Sequence, residues 1–287
     1  MLQVDQGEKP KSLLTSEIEV TTKPKIKGKP KTVIATATKS PASEEIYGKF
    51  QGADAYDLGG GCAILTFSRN AIEKLLPAAV EYVSKEGVLE YDKQFKMIHM
   101  CTRHRGEGFF SDLVTGYQFS NGSVTAQPLH HTLSALLDEV NLLVPDDPFS
   151  AVFVNHYRDE YDSIGKHSDK DVADGEEIGV MAISYGVSRI ITFRPIDTTN
   201  QTLKQAHIST EHGQTLVMYG RNFQKLFSHA IVGKDNKKKP SPSTAKDMDT
   251  KKTTRFSFTF RRHHAAQKKS DGKRKRGGVG VANPTTP

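Results

Sequence analysis

His167 and Asp169 stand one residue apart in VNHYRDEYDSIGKHSDKD, Val154 to Asp171. In an extended segment, side chains at i and i+2 point the same way, so this pair aims an imidazole and a carboxylate at one point. Joined by a second histidine from elsewhere in the chain, such a pair makes the 2-His-1-carboxylate facial triad. That triad binds Fe(II) and leaves positions open for a co-substrate and oxygen. His-x-Asp alone also occurs in loops that hydrogen-bond their own backbone, so the reading depends on partners. His229, in KLFSHAI, is the better third ligand, because it follows an apolar strand and its apolar flanks would shield a metal. His212, in TEHGQ, competes for the role, but its glycine turn suits a structural hydrogen bond.

A second constellation is RFSFTFR, Arg255 to Arg261. The two arginines are an even number of residues apart, so on a strand both face one side with Ser257 and Thr259 between them. Two guanidinium groups on one face suit a dicarboxylate, each gripping a carboxylate bidentately. Burying them without an anion would be costly. Surface cations on an edge strand are the plainer alternative.

These residues need a frame. CAILTF (Cys62–Phe67), AVFVNHY (Ala151–Tyr157), GVMAISYG (Gly179–Gly186), SRIITFRP (Ser188–Pro195), QTLVMYG (Gln214–Gly220) and TRFSFTFR (Thr254–Arg261) read as strands separated by turn residues. Two helices precede most of them. In the first, Asn70 and Glu73 stand at capping-box spacing, and Ile72, Leu75, Leu76, Ala79, Val80 and Val83 form one face. The second begins near Pro128, with Leu129, Leu133, Leu136, Leu137 and Val140 as its stripe. Both stripes are read as packing against a sheet. The fold class is therefore mainly β with flanking helices (α+β), and the strand spacing suggests a sandwich or a jelly roll.

Charge is distributed unevenly along the 287 residues. Residues 1–45 carry eight Lys/Arg against six Asp/Glu, and residues 262–287 carry seven against one, so the net +7 belongs to the ends. We expect a tail over 1–45, one domain over 46–262 with a Lys-rich surface loop at 234–252, and a second tail over 263–287. KRKR at Lys273–Arg276 reads as a phosphate-binding patch or, in a eukaryote, a nuclear import signal. Two cysteines, Cys62 and Cys101, make no disulfide framework, and no apolar run is long enough for a membrane span, so we expect a soluble, intracellular monomer. His99, Cys101 and His104 hint at a second metal site, although three such residues near a strand end are more often unrelated.

NHY at Asn155–Tyr157, HSD at His167–Asp169, His229 and RFSFTFR, in that order, closely resemble the AlkB family of iron(II)- and 2-oxoglutarate-dependent dioxygenases. The likeness runs from about Phe50 to Arg262 and implies a double-stranded β-helix core. It implies that His167, Asp169 and His229 ligate Fe(2+). Arg255 and Tyr157 would then hold the distal carboxylate of 2-oxoglutarate, and Asn155 and Arg261 the end beside the keto group. Ser257 stands where members usually carry asparagine, so its shorter arm makes only part of that hydrogen bonding. GYQFS (Gly116–Ser120) resembles the segment lining the base pocket, which would set Tyr117 and Phe119 against a flipped base, with Asp171 at the base edge. Arg103 and Arg105 would lie near phosphate. The implied activity uses O2 and 2-oxoglutarate to demethylate N-alkylated bases in DNA or RNA, of the 1-methyladenine or 3-methylcytosine type. Succinate, carbon dioxide and formaldehyde are released. The alternatives are an oxygenase acting on a protein or another non-nucleic-acid substrate, and a non-catalytic nucleic-acid-binding protein that keeps the fold.

Overall fold

Runs rich in β-branched and aromatic residues, broken by turn residues, fold as short strands. The computed structural model describes residues 34–50, 52–91, 105–119, 122–169, 176–233 and 254–263, with the backbone only at 45, 46, 118, 119, 122 and 123. The strands are β1 (Lys39–Pro41), β2 (Asp54–Gly59), β3 (Cys62–Ser68), β4 (Gly106–Phe110), β5 (Gly116–Phe119), β6 (Gly122–Gln127) and β7 (Ala151–Tyr157). They continue with β8 (Ile164–His167), β9 (Ile178–Gly186), β10 (Arg189–Pro195), β11 (Ala206–Thr210), β12 (Gln214–Tyr219), β13 (Phe227–Ile231) and β14 (Arg255–Arg261). Ten form a large sheet ordered β1-β2-β3-β12-β9-β14-β7-β4-β6-β5, and four form a small sheet ordered β11-β10-β13-β8. Late strands lie between early ones, which is the interleaving of the expected jelly roll.

All seven residues of β14 are buried, because the strand is covered on both faces. After a single-turn helix α1 (Glu44–Tyr47) come two longer helices, α2 (Asn70–Val83) and α3 (His131–Asn141), and Phe256, Phe258 and Phe260 join the core that the large sheet makes with these two. Ile72, Leu76, Ala79 and Val83 come from one helix, and Leu133, Leu136, Leu137 and Val140 from the other, as their periodicity predicts. Full burial of side chains this size is worth roughly 1.5–3 kcal/mol each. The odd-numbered set, Arg255, Ser257, Thr259 and Arg261, alternates to the opposite face. A second core joins the two sheets, with Ile64, Val180, Leu216 and Met218 from the large one and Ile191, Phe193, Phe227 and Ile231 from the small one.

Three boundaries differ from the expectation. Asn70 is the first helical residue of α2, and Arg69 is the cap, with no side-chain capping bond, so the capping box does not form. The second helix starts three residues beyond Pro128, because the His130 ring accepts the Thr132 N–H and supplies the cap. Part of the expected N-terminal tail belongs to the fold. Ala37 is buried and bonds the Gln205 carbonyl at 2.7 Å, and β1 pairs with β2, because TVIATAT is β-prone chain between lysine runs. Residues 1–33, the Lys-rich loop at 234–252 and residues 264–287 lie outside the described residues.

Where β9 meets the start of β14, Gly186 takes φ +98°, and a Cβ there would lie 2.1 Å from the Thr254 carbonyl oxygen. Glycine is what lets Arg255 begin β14 opposite that position. On the helix-facing side of β7, His156 stacks on Phe256 (centroids 4.1 Å, planes 6° apart) and meets the Tyr91 hydroxyl through Nδ1 at 2.6 Å. Burial, aided by the Arg158 charge, pushes its pKa down to about 4. A depressed histidine binds fewer protons folded than unfolded, so stability is full above about 6.5 and falls as pH drops toward 4. His156→Phe should flatten that slope in thermal melts taken between pH 7 and 4; an unchanged slope would remove His156 as its source.

Candidate active site

The small sheet supplies two histidines in register. His229 on β13 lies directly opposite His167 at the end of β8, with ring centroids 4.2 Å apart. Asp169 follows two residues beyond the end of β8 and is 2 % exposed. His167 Nε2 is 3.8 Å from Asp169 Oδ1, and His229 Nε2 is 3.8 Å from Asp169 Oδ2. One donor atom from each residue lies within 4.8 Å of the others.

Hydrogen bonds decide which atoms are available. The His167 Nδ1–H donates to the Gly165 carbonyl at 2.8 Å, which leaves the Nε2 lone pair facing the cluster. Asp169 Oδ1 accepts from Arg261 Nη2 at 2.7 Å, whereas Oδ2 is buried with no hydrogen-bond partner among the described residues. A buried carboxylate oxygen left unsatisfied is costly, and a cation would satisfy it. Burial pushes both histidines toward the neutral form, His229 down to about 3, against the pull of Asp169. Burial alone would raise the Asp169 carboxyl, but Arg261 and the two histidines outweigh it and hold it below the usual carboxylate range. Two neutral imidazoles and one carboxylate fit a divalent transition metal, with Fe(II) a typical occupant.

The large sheet presents the cationic side. Arg255, on β14 opposite Tyr157, is 2 % exposed, and its guanidinium lies 5.1 Å from the Tyr157 ring centroid. Nη2 donates to Ser184 Oγ at 3.0 Å, while Nε and Nη1 meet no acceptor among the described residues. Burial depresses its pKa, Tyr157 opposes that, and neighbouring Arg189 adds to it. These two open donors on a desolvated guanidinium suit an anionic carboxylate. Ser257 is the next inward residue along β14, buried between Asn155 and Ser184.

Arg261 is used differently from the sequence expectation of two matching arginines. Besides Asp169 it bonds the Tyr117 hydroxyl through Nη1, and it lies over the Tyr117 and Phe153 rings. Tyr117 is buried, with its ring against Phe109, Phe153 and His263. The backbone of Phe119 lies on β5, but its side chain is outside the described residues, as are Asp171, Arg103, His99, Cys101 and His104. Asn155 Oδ1 accepts from Arg105 Nε at 2.9 Å, which fixes the amide because a guanidinium can only donate. Arg105 also bonds the Ser163 carbonyl and Glu107. It is therefore an internal organiser of the site and not the phosphate contact that its basic segment suggested. His212 accepts the Gly186 N–H at 3.2 Å, the structural bond expected of a turn histidine.

Three residues escape the sequence reading. Ser184 seats Arg255, Arg105 orients Asn155, and Gln224 accepts the Asp169 backbone N–H at 2.8 Å. The one signal for Ser184 was period-2 alternation on β9, which puts it across from Ser257. Arg105 and Gln224 come from segments without periodicity.

Residues 68–261 match the family model described as the 2OG-Fe(II) oxygenase superfamily. Among curated proteins, DNA oxidative demethylase ALKBH2 of Mus musculus is 30% identical over 149 residues, covering 50% of this chain and 59% of the relative. That of Bos taurus is 29% identical over 149 residues, covering 50% and 51%. The chain thus spans little more than half the length of these relatives. The solved structure of OsALKBH1 aligns over 73% of this chain and 100% of its own, at 14% identity and TM-score 0.47.

Proposed function

The chain belongs to the 2OG-Fe(II) oxygenase superfamily as an AlkB-like dioxygenase using Fe(II), 2-oxoglutarate and O2, and from that premise we propose that it oxidatively demethylates N-alkylated bases in nucleic acid. The observation that carries this reading is the His167–Asp169–His229 cluster, buried at Asp169 and His229, with an Oδ2 that has no hydrogen-bond partner among the described residues, together with a desolvated Arg255 that has two open donors among them. DNA is the favoured polymer, because the similar curated proteins are named DNA oxidative demethylases. An Fe(II) held by the cluster would supply the redox chemistry by which O2 is shared between oxidative decarboxylation of 2-oxoglutarate, giving succinate and carbon dioxide, and hydroxylation of the N-methyl carbon, which would be lost as formaldehyde.

The protein's own groups bind, orient and exclude water. His167 and His229 would hold the metal as neutral donors together with the Asp169 carboxylate, whose Oδ1 is anchored on Arg261. Arg255, seated by Ser184 and backed by Tyr157, takes the distal carboxylate of 2-oxoglutarate; Asn155, Ser257 and Arg261 lie on the same inner face and complete the co-substrate cradle. Near-total burial of Asp169 and Arg255 keeps bulk water from these charges, which strengthens each contact. The substrate base enters beside Tyr117 after leaving its stack, with Phe119 and Asp171 as further pocket groups.

The test is formaldehyde and succinate release from 1-methyladenine and 3-methylcytosine oligonucleotides, single- and double-stranded, DNA and RNA, beside methylated peptides. Equal yields of both products on DNA are expected. Release on peptides alone would replace the reading with a protein-directed oxygenase.

A further inference from the structure

Asp169 differs from the two histidines in how it is held. His167 and His229 are fixed by strand register, since each lies in the β8–β13 ladder. β8 ends at His167, so Asp169 has left the ladder and no strand neighbour takes its backbone N–H. That N–H donates instead to Gln224 Oε1, 55 residues away, at 2.8 Å. Gln224 sits on a single-turn helix, α4 (Phe223–Leu226), five residues before His229 on the same stretch of chain. Its neighbour Phe223 is buried between Phe193 and Phe227, which pins the turn to the core. The amide has one possible orientation, because a backbone N–H only donates and must face the carbonyl oxygen. The Nε2 end turns to Met218 Sδ at 3.3 Å, a weak acceptor.

Resting on the metal reading above, we propose that Gln224 is a positioning residue for the metal site. Its side-chain carbonyl replaces the missing strand neighbour and holds the Asp169 backbone, so that Oδ1 reaches Arg261 and Oδ2 stays turned toward His229. The segment that delivers the second histidine thus also places the carboxylate. Only the acceptor oxygen is required for this, which separates the role from packing.

The experiment titrates the full chain with Mn(II), a redox-stable stand-in for Fe(II), by calorimetry, with circular dichroism confirming the fold of each variant. Gln224→Met keeps the length and removes the acceptor, and it should weaken Mn(II) binding by roughly 10–100-fold, as for other outer partners of metal ligands. Gln224→Asn withdraws the carbonyl by one methylene and should give the same loss, which covers the case of a Met variant that does not fold. Gln224→Glu keeps an acceptor at the same reach and should bind at least as tightly as the wild type. Met218→Leu, which removes only the partner of Nε2, should change nothing. Wild-type affinity in Gln224→Met or Gln224→Asn, or a loss in Gln224→Glu matching theirs, would overturn the proposal. Failure of the wild type to bind Mn(II) or Fe(II) would instead overturn the metal reading beneath it.

Discussion

Arg255→Met should raise the Kd for 2-oxoglutarate by roughly 30-fold to several thousand-fold, a loss of about 2–5 kcal/mol typical of truncating one partner of a buried charge pair. The ligand-free protein should melt at the same temperature or higher. Both expectations follow from one environment. The guanidinium is almost fully buried, Nη2 donates to Ser184 and Tyr157 lies beside it, while Nε and Nη1 find no partner within hydrogen-bond distance among the described residues. Before ligand arrives, this is a desolvated cation whose donors are unsatisfied, and replacing it by an apolar chain of similar volume costs little. After ligand arrives, the same donors grip a carboxylate in a dry site. Calorimetry with 2-oxoglutarate and a thermal melt of the metal-free protein measure the two halves. An unchanged Kd would remove Arg255 from the co-substrate site, and a large drop in Tm would make it a structural residue instead.

Asp169→Asn should weaken Fe(II) or Mn(II) binding by more than the roughly 10–100-fold expected for an outer partner, and turnover should disappear. The exchange keeps the shape of the side chain and removes the charge that Oδ2 offers to a cation. The amide oxygen can still accept from Arg261, so folding should survive. Asp169→Ala is not equivalent. It removes the carboxylate 2.7 Å from the buried Arg261 guanidinium, and breaking such a pair costs about 3–5 kcal/mol. The alanine variant should therefore lose both activity and several degrees of Tm. Full metal affinity in the asparagine variant would end the ligand assignment.

Much of this was legible in the sequence because period 2 is a strong constraint. Alternation in RFSFTFR places three phenylalanines on the helix side and two arginines inward, and β14 has that arrangement. His229 over His212 was decided by apolar flanks against a glycine turn, and the structure gives His212 a backbone partner. What was not legible depends on contacts between segments without periodicity. Nothing in TRHRGEGFF says that Arg105 turns inward to an asparagine fifty residues on, since a basic run looks the same whether solvated or buried. The even spacing of Arg255 and Arg261 suggested like roles, yet the two differ because Asp169 reaches only one of them. The capping box failed for a related reason: the spacing was right, but the helix begins one residue too early for Asn70 to cap it.

His167, Asp169 and His229 lie on or just beyond the small sheet, and Arg255 and Arg261 lie on the large one. Between the sheets is a packed layer of Ile64, Leu216, Met218, Phe193 and Phe227, none of which belongs to the site. The thickness of that layer would therefore set how far a metal held by the small sheet stands from a carboxylate held by Arg255. Protein interiors are dense enough to feel a single methylene, and a 1 Å error in placement can cost a hundredfold in rate. Hydrophobic residues that carry no charge themselves are thus a gauge block for the reaction. Variants that trim them should emerge in a screen as slow enzymes before they emerge as unstable ones.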